Sequence, residues 1–182
     1  MAEAASPPPA ARPLGGAAAI LGGLLWATEG VLGESFPQAL IFLAPLLLAG
    51  GITGFFLLYR APLKGLGQSG FTQGVVGLGM LAGGFFGAYT LGEEPLVRVA
   101  SFGFLLTAFG LVLLGYGCIR ENVLGRFYWL PLALGAVAPL GLLFGSAGPA
   151  RVALSLLFGL GWVLLGALML AGLAERGEKG RA

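Results

Sequence analysis

An all-α bundle of six membrane helices is the fold this sequence predicts, and three observations carry the prediction. Charged residues make up 10% of the chain and hydrophobic residues 57%, whereas a soluble domain has about a quarter of its residues charged. Between about residues 14 and 174 the charges fall in short clusters separated by roughly one bilayer thickness of apolar chain. That spacing lets stretches of about 20 residues cross hydrocarbon while charges stay in the turns. The apolar stretches show no period-two alternation and exceed the roughly 9–11 residues of a barrel strand, so their backbone groups must be satisfied within helices.

Residues 1–13 are Pro-rich and polar, and read as a disordered cytoplasmic tail with extended character. The first span covers about 14–33, the second 37–59, the third 71–91, the fourth 97–119, the fifth 128–146 and the sixth 151–174. Tyr128 and Trp129 stand at the start of the fifth span, where amphipathic rings mark the membrane–water boundary. Trp162 lies mid-span and is expected inside the bundle. Residues 175–182 form a charged cytoplasmic tail. The turns are short, which forces neighbouring helices antiparallel in one compact domain, 14–174.

The basic residues set the orientation. Arg12, Arg60, Lys64, Arg120, Arg126, Arg176, Lys179 and Arg181 fall on one side of such a bundle, against Arg98 and Arg151 on the other. Basic residues stay cytoplasmic, so the expectation is a multi-pass protein of a cell membrane, the inner membrane in a bacterial cell, with both termini inside. Glu34, Glu93 and Glu94 then lie outside.

What the chain lacks narrows its chemistry. It has no His, no Asp and one Cys, Cys118. It cannot build a Ser-His or Cys-His pair, a His-ligated zinc or a bis-His haem, and one Cys closes no internal disulfide. No enzymatic activity and no cofactor or metal is expected. The formal charge of +2, scattered over turns, offers nothing to nucleic acid. The partner expected throughout is the lipid bilayer.

Packing signals are carried by small residues. Gly15, Ala19, Gly23 and Ala27 recur every four residues in the first span, as do Gly79, Gly83 and Gly87 in the third. Gly103, Gly110 and Gly117 recur every seven in the fourth, and Gly159 and Gly166 in the sixth. Such stripes let helix backbones approach in lipid, where burial alone gives little drive. They serve packing within the bundle or, if outward-facing, association with other membrane subunits or with a second copy. Two faint repeats accompany them. Gly110-Leu-Val-Leu-Leu-Gly115 matches Gly161-Trp-Val-Leu-Leu-Gly166, as in a hairpin repeat. Ala44-Pro45-Leu46 matches Ala138-Pro139-Leu140, as in the inverted three-helix halves of many transporters, with the two prolines freeing the carbonyls of Ile41 and Gly135.

Glu29 is the one charge placed within a span, about four residues from the outer end of the first, with Trp26 on the same face. A carboxylate at the bilayer centre costs roughly 2.5–3.5 kcal/mol, less near the interface. Glu29 should turn inward, pair with a base or stay uncharged, and Arg98 and Arg151, the natural partners, begin the fourth and sixth spans on that side. A plainer reading puts Glu29 at headgroup level, ending the helix. Thr107 is an isolated hydroxyl in the fourth span; a lone Thr in a membrane helix bonds its own backbone. The candidate ion or substrate site is therefore Glu29, Arg98, Arg151 and Thr107. Gly22-Gly23-Leu24-Leu25-Trp26-Ala27-Thr28 is similar to the opening helix of ten-helix drug/metabolite transporters, a resemblance covering one span of six. The function expected is a non-enzymatic multi-pass protein, free-standing or a packing subunit of a membrane complex. The alternative is a small secondary transporter using Glu29 and the proline breaks. A carrier would line a polar cavity with Glu29, Thr107 and Arg98, and a subunit would expose its small-residue stripes.

Overall fold

Proline sets where the helices begin. The computed structural model describes residues 8–144 and 148–172, and six α-helices account for most of them: α1 Ala11–Leu32, α2 Leu43–Tyr59, α3 Leu66–Phe85, α4 Leu96–Arg120, α5 Leu130–Phe144 and α6 Gly148–Ala171. Pro13, Pro45, Pro131 and Pro149 all lie in the first turn of their helices, and Pro95 immediately precedes α4. A first-turn residue has no intrahelical acceptor for its N–H, so proline there is free of cost and its fixed φ favours entry into the helix. This moves the start of α2 from the expected residue 37 to Leu43, with the preceding segment forming a short 3-10 turn, Gln38–Leu40. Gly65, at φ +61°, opens α3 five residues earlier than hydropathy suggested. Among the described residues there is no strand. Residues 11–13, expected in the N-terminal tail, are helical; the rest of that tail up to residue 7, and the charged tail 175–182, lie outside the described residues.

Four stretches are long and apolar enough to cross a membrane: Ala11–Ser35, Leu66–Thr90, Leu96–Arg120 and Gly148–Ala171. Helix α2 is apolar but shorter, at 17 residues, and α5 has 15. The outer surface fits a lipid environment. Leu21, Leu24, Phe102, Leu105, Phe109, Leu157 and Leu160 are each about half exposed along the helices, a continuous apolar exterior that a water-soluble monomer does not carry.

Each helix packs on its neighbours in sequence, and α6 closes onto α1, giving a ring of six. Within it lies a core of Leu48, Ile52 and Phe55 from α2, Leu78 from α3, Leu111 and Leu114 from α4, and Trp162 and Leu165 from α6. Trp162 is fully buried and its indole N–H has no partner among the described residues. Cys118 is also fully buried.

The most extensive interfaces, α3–α4 and α1–α6, share one device. Gly77 and Gly103 face each other so closely that a Cβ on either would sit 2.6 Å from the other's carbonyl oxygen, and Gly70 and Gly110 are related in the same way. On the other side of the ring Gly23 faces Gly159 and Gly16 faces Gly166. Both interfaces are thus built on glycine pairs seven residues apart in each helix, the period of a left-handed seam, with backbones close enough for Cα–H···O contacts. In α1 the fours stripe is divided between two neighbours: Gly15 packs on Gly54 and Ala19 on Gly51 of α2, whereas Gly23 and Ala27 pack on Gly159 of α6. The fours stripe of α3 does not serve packing as a unit. Gly79 and Gly83 face open space, and only Gly87 is packed, on Leu96.

The proline match between the second and fifth spans does not mark an inverted repeat. Pro45 is in the first turn of α2 and frees no helical carbonyl, whereas Pro139 lies inside α5 and leaves the Gly135 carbonyl without its N–H. The ring itself forbids the relation. Neighbouring helices are antiparallel and follow one another around the ring in sequence order. Mapping α1–α3 onto α4–α6 with reversed direction but the same circulation is inversion through a point, which no rotation of an L-polypeptide achieves.

Candidate functional site

At the end of the bundle where α1 finishes and α4 and α6 begin, the ring encloses a cavity of about 330 Å³. Helix α1 contributes Trp26 and Glu29, α4 contributes Ser101 and Phe104, and α6 contributes Arg151, Ser155 and Phe158. Helix α3 supplies Leu81 and Phe85, then loosens into a π-helical turn, Phe86–Thr90, which brings Tyr89 to the rim. Helix α5 supplies Val137, Ala138 and Gly141, the residues around Pro139. A smaller space of about 50 Å³ adjoins it, sharing Trp26, Glu29, Ile41 and Phe85.

Aromatic rings make one wall. Trp26 stacks on Phe104 at 5.7 Å between centroids and 9° between planes, and Phe158 tilts against Trp26 at 5.2 Å. These contacts join α1 to α4 and α6 across the ring. Such ring pairs contribute about 0.5–1.5 kcal/mol beyond their burial.

The polar feature is an ion pair. Arg151 Nη2 donates to Glu29 Oε1 at 2.5 Å, linking α6 to α1 at the cavity wall. One residue beyond Glu29, Gly30 lies directly against Ser155, where a Cβ would overlap the serine side chain. That close approach is what lets a short carboxylate meet the guanidinium. The Glu29 side chain is 20% exposed and that of Arg151 41%, so the pair is reached from the cavity rather than sealed in the core. Its placement opposes the helix dipoles. A carboxylate near a helix C-terminus and a cation in the first turn of another each sit at the unfavourable end of their own helix, by typically 0.3–1 kcal/mol. A solvent-reached ion pair returns about 1 kcal/mol or less. Stability alone therefore gives no reason to hold these two charges here.

The other two sequence candidates lie elsewhere. Arg98 is exposed in the first turn of α4 and lines neither cavity. Thr107 is 1% exposed, donates to its own Gly103 carbonyl at 2.8 Å and packs against Gly77 in the α3–α4 seam. Its hydroxyl is used up by the helix, as are those of Thr53, bonded to the Ala49 carbonyl, and Ser101, bonded to that of Val97. The cavity residues that sequence reading missed are Phe104, Phe158, Tyr89 and Ser155. In an apolar chain nothing distinguishes a cavity phenylalanine from a lipid-facing one until the helix rotation is known. Ser155 carried a faint signal, as a polar residue one turn from Arg151. Among the described residues no three His, Cys, Asp or Glu side chains come together as a metal site. No protein-family model matches this chain, and neither a curated protein nor a solved structure shows detectable similarity to it, so the likeness of residues 22–28 to a transporter helix stays local.

Proposed function

We propose that this chain is a six-span membrane protein with both termini cytoplasmic, and that it binds a small ligand in a cavity open toward the outer side, as a non-enzymatic binding or carrier bundle. The charge distribution supports the topology: the Arg60–Lys64 and Arg120–Arg126 turns and both chain ends gather the basic residues. The start of α1 and the end of α6 also meet, since Gly172 lies beside the Arg12 guanidinium. At 1.5 Å per residue α2 is about 26 Å long and α5 about 23 Å. They span with the help of the 3-10 turn before α2 and the Tyr128–Trp129 belt before α5, as short spans do by local thinning. The observation that carries the functional reading is the Glu29–Arg151 pair set in the wall of an aromatic cavity. Ligand sites are of this kind: apolar walls with a few placed polar groups.

Ser101→Cys tests it. Cys118 is fully buried, so a cysteine at the cavity wall is the one reactive thiol. A charged, membrane-impermeant thiosulfonate added from the outer side of cells should modify it, and should leave a wild-type control unmodified. Failure of Ser101→Cys to react in folded protein contradicts an outward-open cavity.

A second reading rests on a separate observation. The outward face of α3 carries Thr72, Val76, Gly79 and Gly83, all exposed, with no side chain over the glycines. That smooth strip is the surface a neighbouring membrane helix would use, and supports a role as a packing subunit or self-associating bundle. Disulfide cross-linking of Gly83→Cys in membranes should give a defined adduct if so, and no adduct above an exposed control such as Leu105→Cys if not.

A further inference from the structure

Resting on the cavity reading above, we propose that the ligand is a zwitterion of zero net charge with an apolar body, its ammonium received by Glu29 and its anionic group by Arg151. Charge balance carries the argument. The cavity holds one acid and one base in contact, and the rest of its lining is uncharged, mostly apolar or aromatic with the Ser101 and Ser155 hydroxyls. A cationic ligand would leave that site with an uncompensated positive charge, and an anionic ligand with a negative one. Uncompensated charge is costly where the surroundings are of low dielectric. A zwitterion laid head-to-tail against the pair puts each charge opposite its complement and adds none.

The pair has room for such a partner on both sides. Only Nη2 of Arg151 and Oε1 of Glu29 are engaged with each other. A guanidinium has five N–H donors and a carboxylate a second oxygen with free lone pairs. Trp26, one helical turn before Glu29, lines the same cavity. Phe104 and Phe158 leave the apolar end of the cavity for the ligand's body. At about 330 Å³ the space is at the small end for ligand pockets, enough for one modest molecule. Two sources carry this chemistry: a free amino acid with an apolar side chain, or the headgroup of an ethanolamine phospholipid entering from the outer leaflet.

Protection of Ser101→Cys from the thiosulfonate distinguishes them. Three soluble probes share one body and differ in charge: leucine, its methyl ester as the cation, and 4-methylpentanoate as the anion. Bilayers of phosphatidylethanolamine and of phosphatidylglycerol provide the lipid arm. Leucine, or the ethanolamine lipid, should slow modification at least about tenfold more than its charged counterparts, a difference of about 1.4 kcal/mol. Protection by leucine identifies a soluble ligand, and protection by the ethanolamine lipid alone identifies the headgroup. Glu29→Gln should shift preference to 4-methylpentanoate, and Arg151→Gln to the methyl ester. A structural role for the pair would not produce that reversal. Should those variants fail to fold, the exchanged pair Glu29→Arg with Arg151→Glu retains both charges and should keep the zwitterion preference. Equal or better protection of the parent Ser101→Cys protein by a charged probe, or protection by no zwitterion, overturns the proposal. In both cases the cavity reading survives so long as Ser101→Cys reacts; if it does not react, the cavity reading itself fails.

Discussion

Gly77 and Gly110 have almost no freedom to change, and Gly79 and Gly83 have nearly all of it. A Cβ at Gly77 would sit 2.5 Å from the Thr107 backbone nitrogen, whereas at Gly79 or Gly83 it would meet nothing within 4 Å. Gly110→Leu should therefore force α3 and α4 apart and lower stability by about 1–3 kcal/mol, the usual cost of overpacking. Gly79→Leu should stay within about 0.5 kcal/mol. Thermal unfolding of both variants in one detergent decides it, and an equal effect of the two would contradict the assigned helix rotation. The same reasoning applies at the ion pair. Gly30→Leu would collide with Ser155 and separate Glu29 from Arg151, and should abolish any charge discrimination among cavity ligands while leaving the α3–α4 seam intact.

Among the elements, α2 and α5 look alike in sequence and behave differently. Pro45 occupies a first-turn position whose N–H has no helical acceptor, so Pro45→Ala should change thermal stability by no more than about 0.5 kcal/mol. Pro139 lies inside α5 among the cavity residues Val137, Ala138 and Gly141. Pro139→Ala should restore the bond to Gly135, straighten that wall and measurably slow thiosulfonate modification of Ser101→Cys. An unchanged rate would show that the proline does not shape the cavity. These elements also show what could be read in advance. The existence of six helical stretches was legible, because hydrophobic length is written directly in composition. Their starts were not read, because hydropathy does not sense that prolines at 13, 45, 131 and 149 fall in first turns. The sevens of Gly103, Gly110 and Gly117 pointed to a true seam, since helices crossing at small angles meet at that period. The fours of Gly79, Gly83 and Gly87 pointed to the wrong face of α3. The matching sevens, Gly70, Gly77 and Gly84, do not stand out in a helix where glycine falls on every side. Glu29 and Arg151 could be nominated because charge is rare in the apolar stretches. Thr107 could not be discarded, because its own backbone absorbs its hydroxyl only once the helix exists.

For the molecule as a whole, the ring of consecutive antiparallel helices decides everything above it. It places the start of α1 and the end of α6 on one face and the cavity at the other, and it makes the Glu29–Arg151 pair a link between α1 and α6. With the only native thiol buried, the topology can be read by single cysteines in intact cells. Lys64→Cys and Glu121→Cys should resist a membrane-impermeant maleimide until the membrane is opened, while Glu34→Cys and Glu93→Cys should react at once. Labelling of Lys64→Cys and Glu93→Cys from the same side would mean that α3 does not cross the bilayer, and would contradict the proposed six-span topology from which the cavity's orientation follows.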